Sequence, residues 1–313
     1  MKKVMKRIGI VLGIIVGIIV LIFLGIFINN KIQLAREAKK IDPVGEEITV
    51  NDQKMNIQIY GDKKETIVLL PGFMTTSPII DFKPLTDELK KDFRVVVVEP
   101  FGYGLSDDTT KERSVENLTE EIHTALKSKG IDDYTLMAHS ISGIYSLEYI
   151  KKYPKEVNAF IGIDSSLPSQ GNADDNGEAM IKFLSSSGLY RVLATVSPDL
   201  LSVPKDVDNK LAEQYKYISF KNIGSTATIN EAKSMPENFS KTKEIGYPKN
   251  FPVLYLLATE STDPDPSWEK IHQEMIEGNK QAELKILEGD HYLHHTKAKE
   301  IAEDTKQFLT HNK

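Results

Sequence analysis

The pattern of hydrophobic and polar positions divides this chain into two unlike parts. Residues 8–28 form one unbroken apolar run of Ile, Val, Leu, Phe and Gly with no charge. At about 21 residues it is long enough to cross the hydrocarbon core of a bilayer as a helix. After about residue 45 the pattern changes to short apolar runs separated by Gly, Pro, Asn and charged residues. Runs at 48–50 and 55–60, with the turn-like Asn51-Asp52 between them, predict a pair of strands. Further runs at 66–70, 93–98, 134–137, 159–163, 253–257 and 284–287 predict six more. Helical periodicity over 118–127, 141–153 and 297–309 fills the intervals between several of them. This alternation predicts an α/β fold, a mostly parallel sheet flanked by helices.

The stretch 165–250 breaks the rhythm. It holds helical pieces at 179–184 and 211–218 among Ser, Pro, Asn and Gly clusters, without clear strands. It reads as a helical cap inserted after the sixth strand. The expected organisation is a basic tail (1–7), a transmembrane helix (8–28), a polar juxtamembrane linker (29–45) and a catalytic-size domain (46–313).

Charge sharpens this division. Residues 1–40 carry eight Lys/Arg against one Glu, a charge of +7. The remaining 31 basic and 44 acidic residues leave −13, which gives the chain its −6. No clustered basic face follows the anchor, so the pattern argues against nucleic acid as a partner. The apolar run exceeds the roughly 7–15 residues of a signal-peptide core and lacks a small-x-small exit, so it is expected to remain as an anchor in the cell membrane. Lys31, Arg36, Lys39 and Lys40 nearly balance Lys2, Lys3, Lys6 and Arg7. The short tail favours an inside N-terminus and an outside body. Gly9, Gly13 and Gly17 share one helix face, a spacing that lets two such helices pack into a homodimer. Cysteine is absent, which removes disulfides, thiol catalysis and cysteine-rich zinc sites.

The chemistry centres on Met137-Ala138-His139-Ser140-Ile141-Ser142-Gly143, which joins an apolar run to a helix. A serine on a sharp strand-to-helix turn needs small neighbours two residues away, and Ala138 and Ser142 are small. Read by itself, Ser140 could equally be a helix cap. Three further motifs accompany it: Leu69-Leu70-Pro71-Gly72-Phe73, the run from Glu99 through Gly102 and Gly104 to Ser106, and Gly289-Asp290-His291.

In this order the four motifs resemble those of the α/β-hydrolase family over residues 47–312. The resemblance implies Ser140 as nucleophile, His291 as its base, and Phe73 and Ile141 as donors of the backbone N–H groups of an oxyanion hole. No cofactor or metal is implied, although His291, His294 and His295 form a His-x-x-His-His run that invites a metal reading. His139 is expected to turn away from the site as a packing residue. The acid is left open. The family most often places it after the seventh strand, where this chain has Ala258-Thr259-Glu260-Ser261, with Glu260 one residue early and Asp263 two late. A minority variant places it after the sixth strand, where Gly162-Ile163-Asp164 stands.

The serine disfavours the dehalogenase and epoxide-hydrolase branches, which use aspartate there. The elbow also lacks the Gly-Gly-Ser-Trp-Gly of proline iminopeptidases. Hydrolysis of a small-molecule or lipid-like acyl ester is therefore expected. An acyltransferase or peptidase with the same triad, and a catalytically inactive membrane-tethered binding module, are the alternatives. Met180, Phe183, Leu184, Leu189 and Tyr190 could line a pocket in the cap or form its core.

Overall fold

A computed structural model describes residues 2–170 and 177–312. Eight strands form one sheet: β1 (Glu46–Val50), β2 (Gln53–Tyr60), β3 (Thr66–Leu70), β4 (Arg94–Glu99), β5 (Tyr134–His139), β6 (Val157–Ile163), β7 (Val253–Ala258) and β8 (Ala282–Leu287). Their spatial order is β1-β2-β4-β3-β5-β6-β7-β8. The first two pairings, β1 with β2 and β2 with β4, are antiparallel, and all the rest are parallel. Every strand expected from the apolar runs is present. Asn51 and Asp52 both adopt positive φ (51° and 62°), the turn that matches strand twist in a two-residue hairpin.

The central strands read as continuous apolar runs because both faces are covered. One face packs Val68, Leu136, Phe160 and Tyr255 beneath the helix Val115–Ser128 and the helix Ser142–Lys152. The other packs Val97, Met137, Ile161 and Leu256 against Lys83–Leu89 and Ala298–His311. The strand order reverses between β3 and β5, a topological switch point at whose carboxyl ends such sheets bind ligands.

Four helices, Glu178–Ser187, Leu189–Val196, Asn209–Asn222 and Thr226–Thr242, with two short 3₁₀ turns, run between β6 and β7 without a strand among the described residues. Gly102, at φ +86°, lets the last of them approach: a Cβ there would sit 2.4 Å from that of Ala227. Gly104 is under a harder constraint. Its φ is +53°, and a Cβ would lie 1.8 Å from the Glu99 carboxylate. That carboxylate is buried and accepts hydrogen bonds from Asn56 Nδ2 and Leu105 N–H, both at 2.8 Å, and from Ile79 N–H at 3.3 Å. Burial pushes the Glu99 carboxyl above its ordinary value, and these bonds offset part of the rise. Gly104→Ala would expel the carboxylate from its donors, so a loss of about 3–5 kcal/mol is expected. Denaturant titration reads it; a variant within about 1 kcal/mol of the parent chain would contradict this account.

The apolar run belongs to one helix, Lys2–Glu37, long and apolar enough to span a membrane. Nothing lies within 4 Å of a Cβ built on Gly9, Gly13 or Gly17. The helix does not stop where the polar linker was expected. Residues 29–37 continue it, because they pack on the cap. Arg191 grips Glu37 with two bonds of 2.6 and 2.7 Å and donates to Asn30 at 3.0 Å.

Candidate active site

Ser140 occupies the turn between β5 and the helix Ser142–Lys152, with φ 53°. Left-handed angles are costly for a non-glycine residue and persist only where the surroundings enforce them. Here the Ser140 N–H donates to Ile163 O at 3.3 Å, and its carbonyl accepts from Gly143 and Ser166 at 2.9 and 2.8 Å. Two more positive angles stand at the neighbouring loops: Met74 (62°) after β3 and Asp164 (41°) after β6. Three strained turns on adjacent strand ends therefore meet at one point.

The loop after β3 lies directly over the elbow. A Cβ on Gly72 would come within 2.7 Å of His139 Nδ1 and 3.1 Å of Ser140 Cβ, so only glycine permits this approach. Ser142, standing where the family pattern usually has glycine, donates its hydroxyl to Pro71 O and ties the two loops together. Among the described residues, no acceptor engages the N–H of Phe73 or that of Ile141. Both are thus free for an incoming oxygen, as an oxyanion hole requires.

His291 follows β8 and presents Nδ1 to Asp164 Oδ2 at 2.6 Å. Asp164 is fully buried and lies at the end of β6. It accepts three further bonds: from Ala258 N–H at 3.1 Å, Ser261 Oγ at 2.6 Å and Trp268 Nε1 at 2.9 Å. Burial raises its carboxyl, but the bond and charge of His291, with Ser261 and the Ala258 amide, outweigh that and hold it below the ordinary carboxylate value. Glu260 and Asp263 are exposed on the turn after β7, and their carboxylates make no bond to His291. The serine in the usual acid position, Ser261, instead serves the carboxylate that reaches in from β6. Ser261 and Trp268 were not singled out from the sequence. The signal for them was present: Ser261 fills the acid slot, and Trp268 is the chain's one tryptophan. His272, fully buried, sits between the carbonyls of Trp268 and Ser165 and fastens the helix Pro266–Met275 to the Asp164 turn.

The His-x-x-His-His run does not converge on one point. His294 and His295 turn to the buried Asp81, with Nε2 to carboxylate distances of 2.7 and 2.8 Å. These three residues are the described group that could offer three ligand atoms to a cation. As they stand, each Nε2–H donates to its own carboxylate oxygen, while the buried His294 Nδ1 has no hydrogen-bond partner among the described residues. His139 is buried beside them and does not turn away from the site. Its ring lies 4.6 Å from those of His291 and His294, and its Nε2–H donates to His291 O at 3.0 Å.

Burial lowers the pKa of His139 far below the usual histidine value. It also lowers that of His294, although Asp81 pulls the other way. A depressed folded-state pKa contributes stability that is present above the unfolded value, about 6.5, and lost as pH falls beneath it. His294→Gln keeps a donor near the Nε2 position and removes the titration. The slope of unfolding free energy between pH 6.5 and 5 is expected to flatten relative to the parent, by at most about 1.4 kcal/mol per pH unit, the limit for one proton. Identical slopes in paired denaturant titrations would show that folding leaves the titration of His294 unshifted.

A cavity of about 340 Å³ lies near Thr66, Tyr134 and Asn158, at the amino ends of the central strands. Ser140 is at the opposite rim, so that cavity is not the substrate cleft.

A sequence model for the alpha/beta hydrolase fold matches residues 65–298. The chain belongs to the α/β-hydrolase family. YbdG, an uncharacterized protein of Bacillus subtilis, is 28% identical over 322 aligned positions, covering 99% of each chain. Among solved structures, the epoxide hydrolase VrEH1 of Vigna radiata superposes with a TM-score of 0.64 at 16% identity, covering 85% of this chain and 97% of that one. A haloalkane dehalogenase loop variant of Bradyrhizobium elkanii gives 0.63 at 11% identity, covering 85% and 96%. At such identities these two structures establish the fold alone. Family membership makes the chain a hydrolase by relationship, and its own residues must supply the chemistry.

Proposed function

We propose that this protein is a membrane-anchored serine hydrolase that cleaves an acyl ester through Ser140, His291 and Asp164. The observation that carries the reading is the 2.6 Å bond from His291 to a buried carboxylate, on loops flanking a strained serine elbow. Serine hydroxyl is a poor nucleophile at neutral pH, so its proton must pass to an imidazole as it attacks. Asp164, acceptor-only and held ionised, fixes His291 with Nδ1–H toward the carboxylate and Nε2 free to receive that proton. The negative oxygen of the tetrahedral adduct falls to the amides of Phe73 and Ile141. His291 returns the proton to the departing alcohol, and water, activated in the same way, releases the acid.

The inactive binding-module alternative drew its motive from the irregular acid position. Asp164, buried among four donors, takes that motive away. The anchor reading is supported by the helix Lys2–Glu37 and its uncharged apolar run, and the short basic tail favours a body outside the cell. An acyltransferase would use the same groups and differ only in the acceptor that resolves the acyl-enzyme.

The test is fluorophosphonate labelling of the detergent-solubilised full chain, beside hydrolysis of an ester series of increasing acyl length. Stoichiometric labelling with ester turnover is expected. A folded chain that neither labels nor turns over any ester overturns the reading, and turnover only with an added alcohol acceptor assigns acyl transfer.

A further inference from the structure

We infer that the first two cap helices lie in the membrane interface, so that the catalytic cleft opens beside the lipid surface from which the anchor emerges. The inference rests on the anchor reading above and adds an interaction surface that the triad does not require.

The argument begins with the anchor's length. At 1.5 Å per residue, residues 8–28 span about 31 Å, matching a hydrocarbon core of about 30 Å. The chain therefore leaves the hydrocarbon close to Ile28. At that same level the helix touches the cap. A Cβ on Gly188 would lie 2.6 Å from Asn30 Cβ and 3.2 Å from Ile26 O. Gly188 is the hinge between Glu178–Ser187 and Leu189–Val196. Asn30 Nδ2 also reaches Ser185 O at 3.5 Å, and the paired bonds from Arg191 to Glu37 brace the contact further along. The guanidinium stacks 3.9 Å over Phe220, which locks this brace to a third cap helix. Both hinge-flanking helices are thus fixed at the depth where the bilayer ends.

Their outer faces are apolar and uncovered. Met180 is 59% exposed and Phe183 52%, one helical turn apart. Val192, Leu193 and Val196 share the outer face of the second helix, with Val196 78% exposed, and Leu200 follows at 52%. Met180 and Phe183 therefore neither line a pocket nor form cap core. Contiguous exposed apolar side chains of this size on a globular body mark a partner surface. Large apolar residues on short helices at headgroup depth suit insertion into the upper acyl region of a lipid leaflet. Continuity with the spanning helix selects lipid over a protein partner. Tyr292, the neighbour of His291, lies against Ser202 just past this segment, which brings the leaflet side of the cap to the catalytic loop.

The cysteine-free chain allows a direct test with single-cysteine variants carrying a bimane fluorophore, each in the full-length protein reconstituted into phosphatidylcholine–phosphatidylglycerol vesicles. Probes go at Phe183→Cys, Val196→Cys, Ile14→Cys in the anchor, and Lys299→Cys on the exposed face of the last helix. Lipids brominated near the headgroup end of the acyl chain are expected to quench positions 183 and 196 at least threefold more than position 299. Quenching at 14 (with mid-chain bromine) but none above the Lys299 level at 183 and 196 overturns the inference and leaves the anchor standing. No quenching at any position, 14 included, overturns both. A probe at 196 that is blue-shifted, insensitive to bromine and released on dilution of protein in lipid would place a second copy there, and would equally overturn it.

Discussion

Ser140→Ala is expected to abolish ester turnover and fluorophosphonate capture, a fall on the order of 10⁴–10⁶ in kcat/KM. The variant isolates the hydroxyl, because the elbow is held by backbone groups. The Ser140 N–H bond to Ile163 and the bonds its carbonyl accepts from Gly143 and Ser166 all survive the change. Alanine meets the positive φ at about the same cost as serine, so the thermal midpoint should stay within a few degrees of the parent. Activity and stability are thereby separated: loss of both together would mean the elbow had collapsed and would leave the nucleophile unassigned. Retention of labelling in a folded Ser140→Ala chain would place the reactive hydroxyl elsewhere and end the proposal.

The second large effect is expected at Asp164. All the hydrogen bonds that reach its carboxylate come from donors: His291, Ser261, Trp268 and the Ala258 amide. Asp164→Asn puts an NH₂ group among them. The amide relieves the clash best by donating to His291 Nδ1, which moves the ring proton to Nε2 and leaves no lone pair for the serine proton. A tautomer error of this kind costs about 10⁴ in kcat in the serine protease triad. A similar loss is expected here, with KM nearly unchanged because the cleft is not altered. Glu260→Gln and Asp263→Asn, on the exposed side of the turn after β7, are expected to stay within about twofold, as surface changes of this kind usually do. Steady-state kinetics on the three variants decide the matter. An inactive Glu260→Gln beside a fully active Asp164→Asn would return the acid to the seventh strand.

How much of this was legible in the sequence differs sharply between fold and site. The strands were readable because a sheet covered on both faces demands unbroken apolar runs such as those at β3, β5 and β7. The short helices Pro78–Asp81 and Lys83–Leu89 were not, because each is too brief to show a period and is set by tertiary packing. Pro236 inside Thr226–Thr242 likewise hid the longest cap helix, since proline within an apolar period reads as a stop. The proposed nucleophile and base stand in local strings that a sequence displays, but the proposed acid does not. Its assignment depends on which strand end lies beside His291, and Asp164 and His291 are 127 residues apart in sequence. Asp81 is harder still, being 213 residues from the histidine it holds, with no motif to announce it. The linker expected at 29–45 was misjudged in part because polarity alone was read. Asn30 and Glu37 are polar residues spent on a buried contact with Arg191, which composition cannot distinguish from solvation.

The bond between Ser261 and Asp164 has a further consequence. Two strand ends, β6 and β7, address the same point beside His291, one with a carboxylate and the other with a hydroxyl. The requirement for negative charge belongs to that point in space and not to either strand. A chain can therefore hand the acid from one strand to its neighbour through an intermediate that carries both, without ever losing the charge. The family's two acid positions are, in this geometry, two routes to one address.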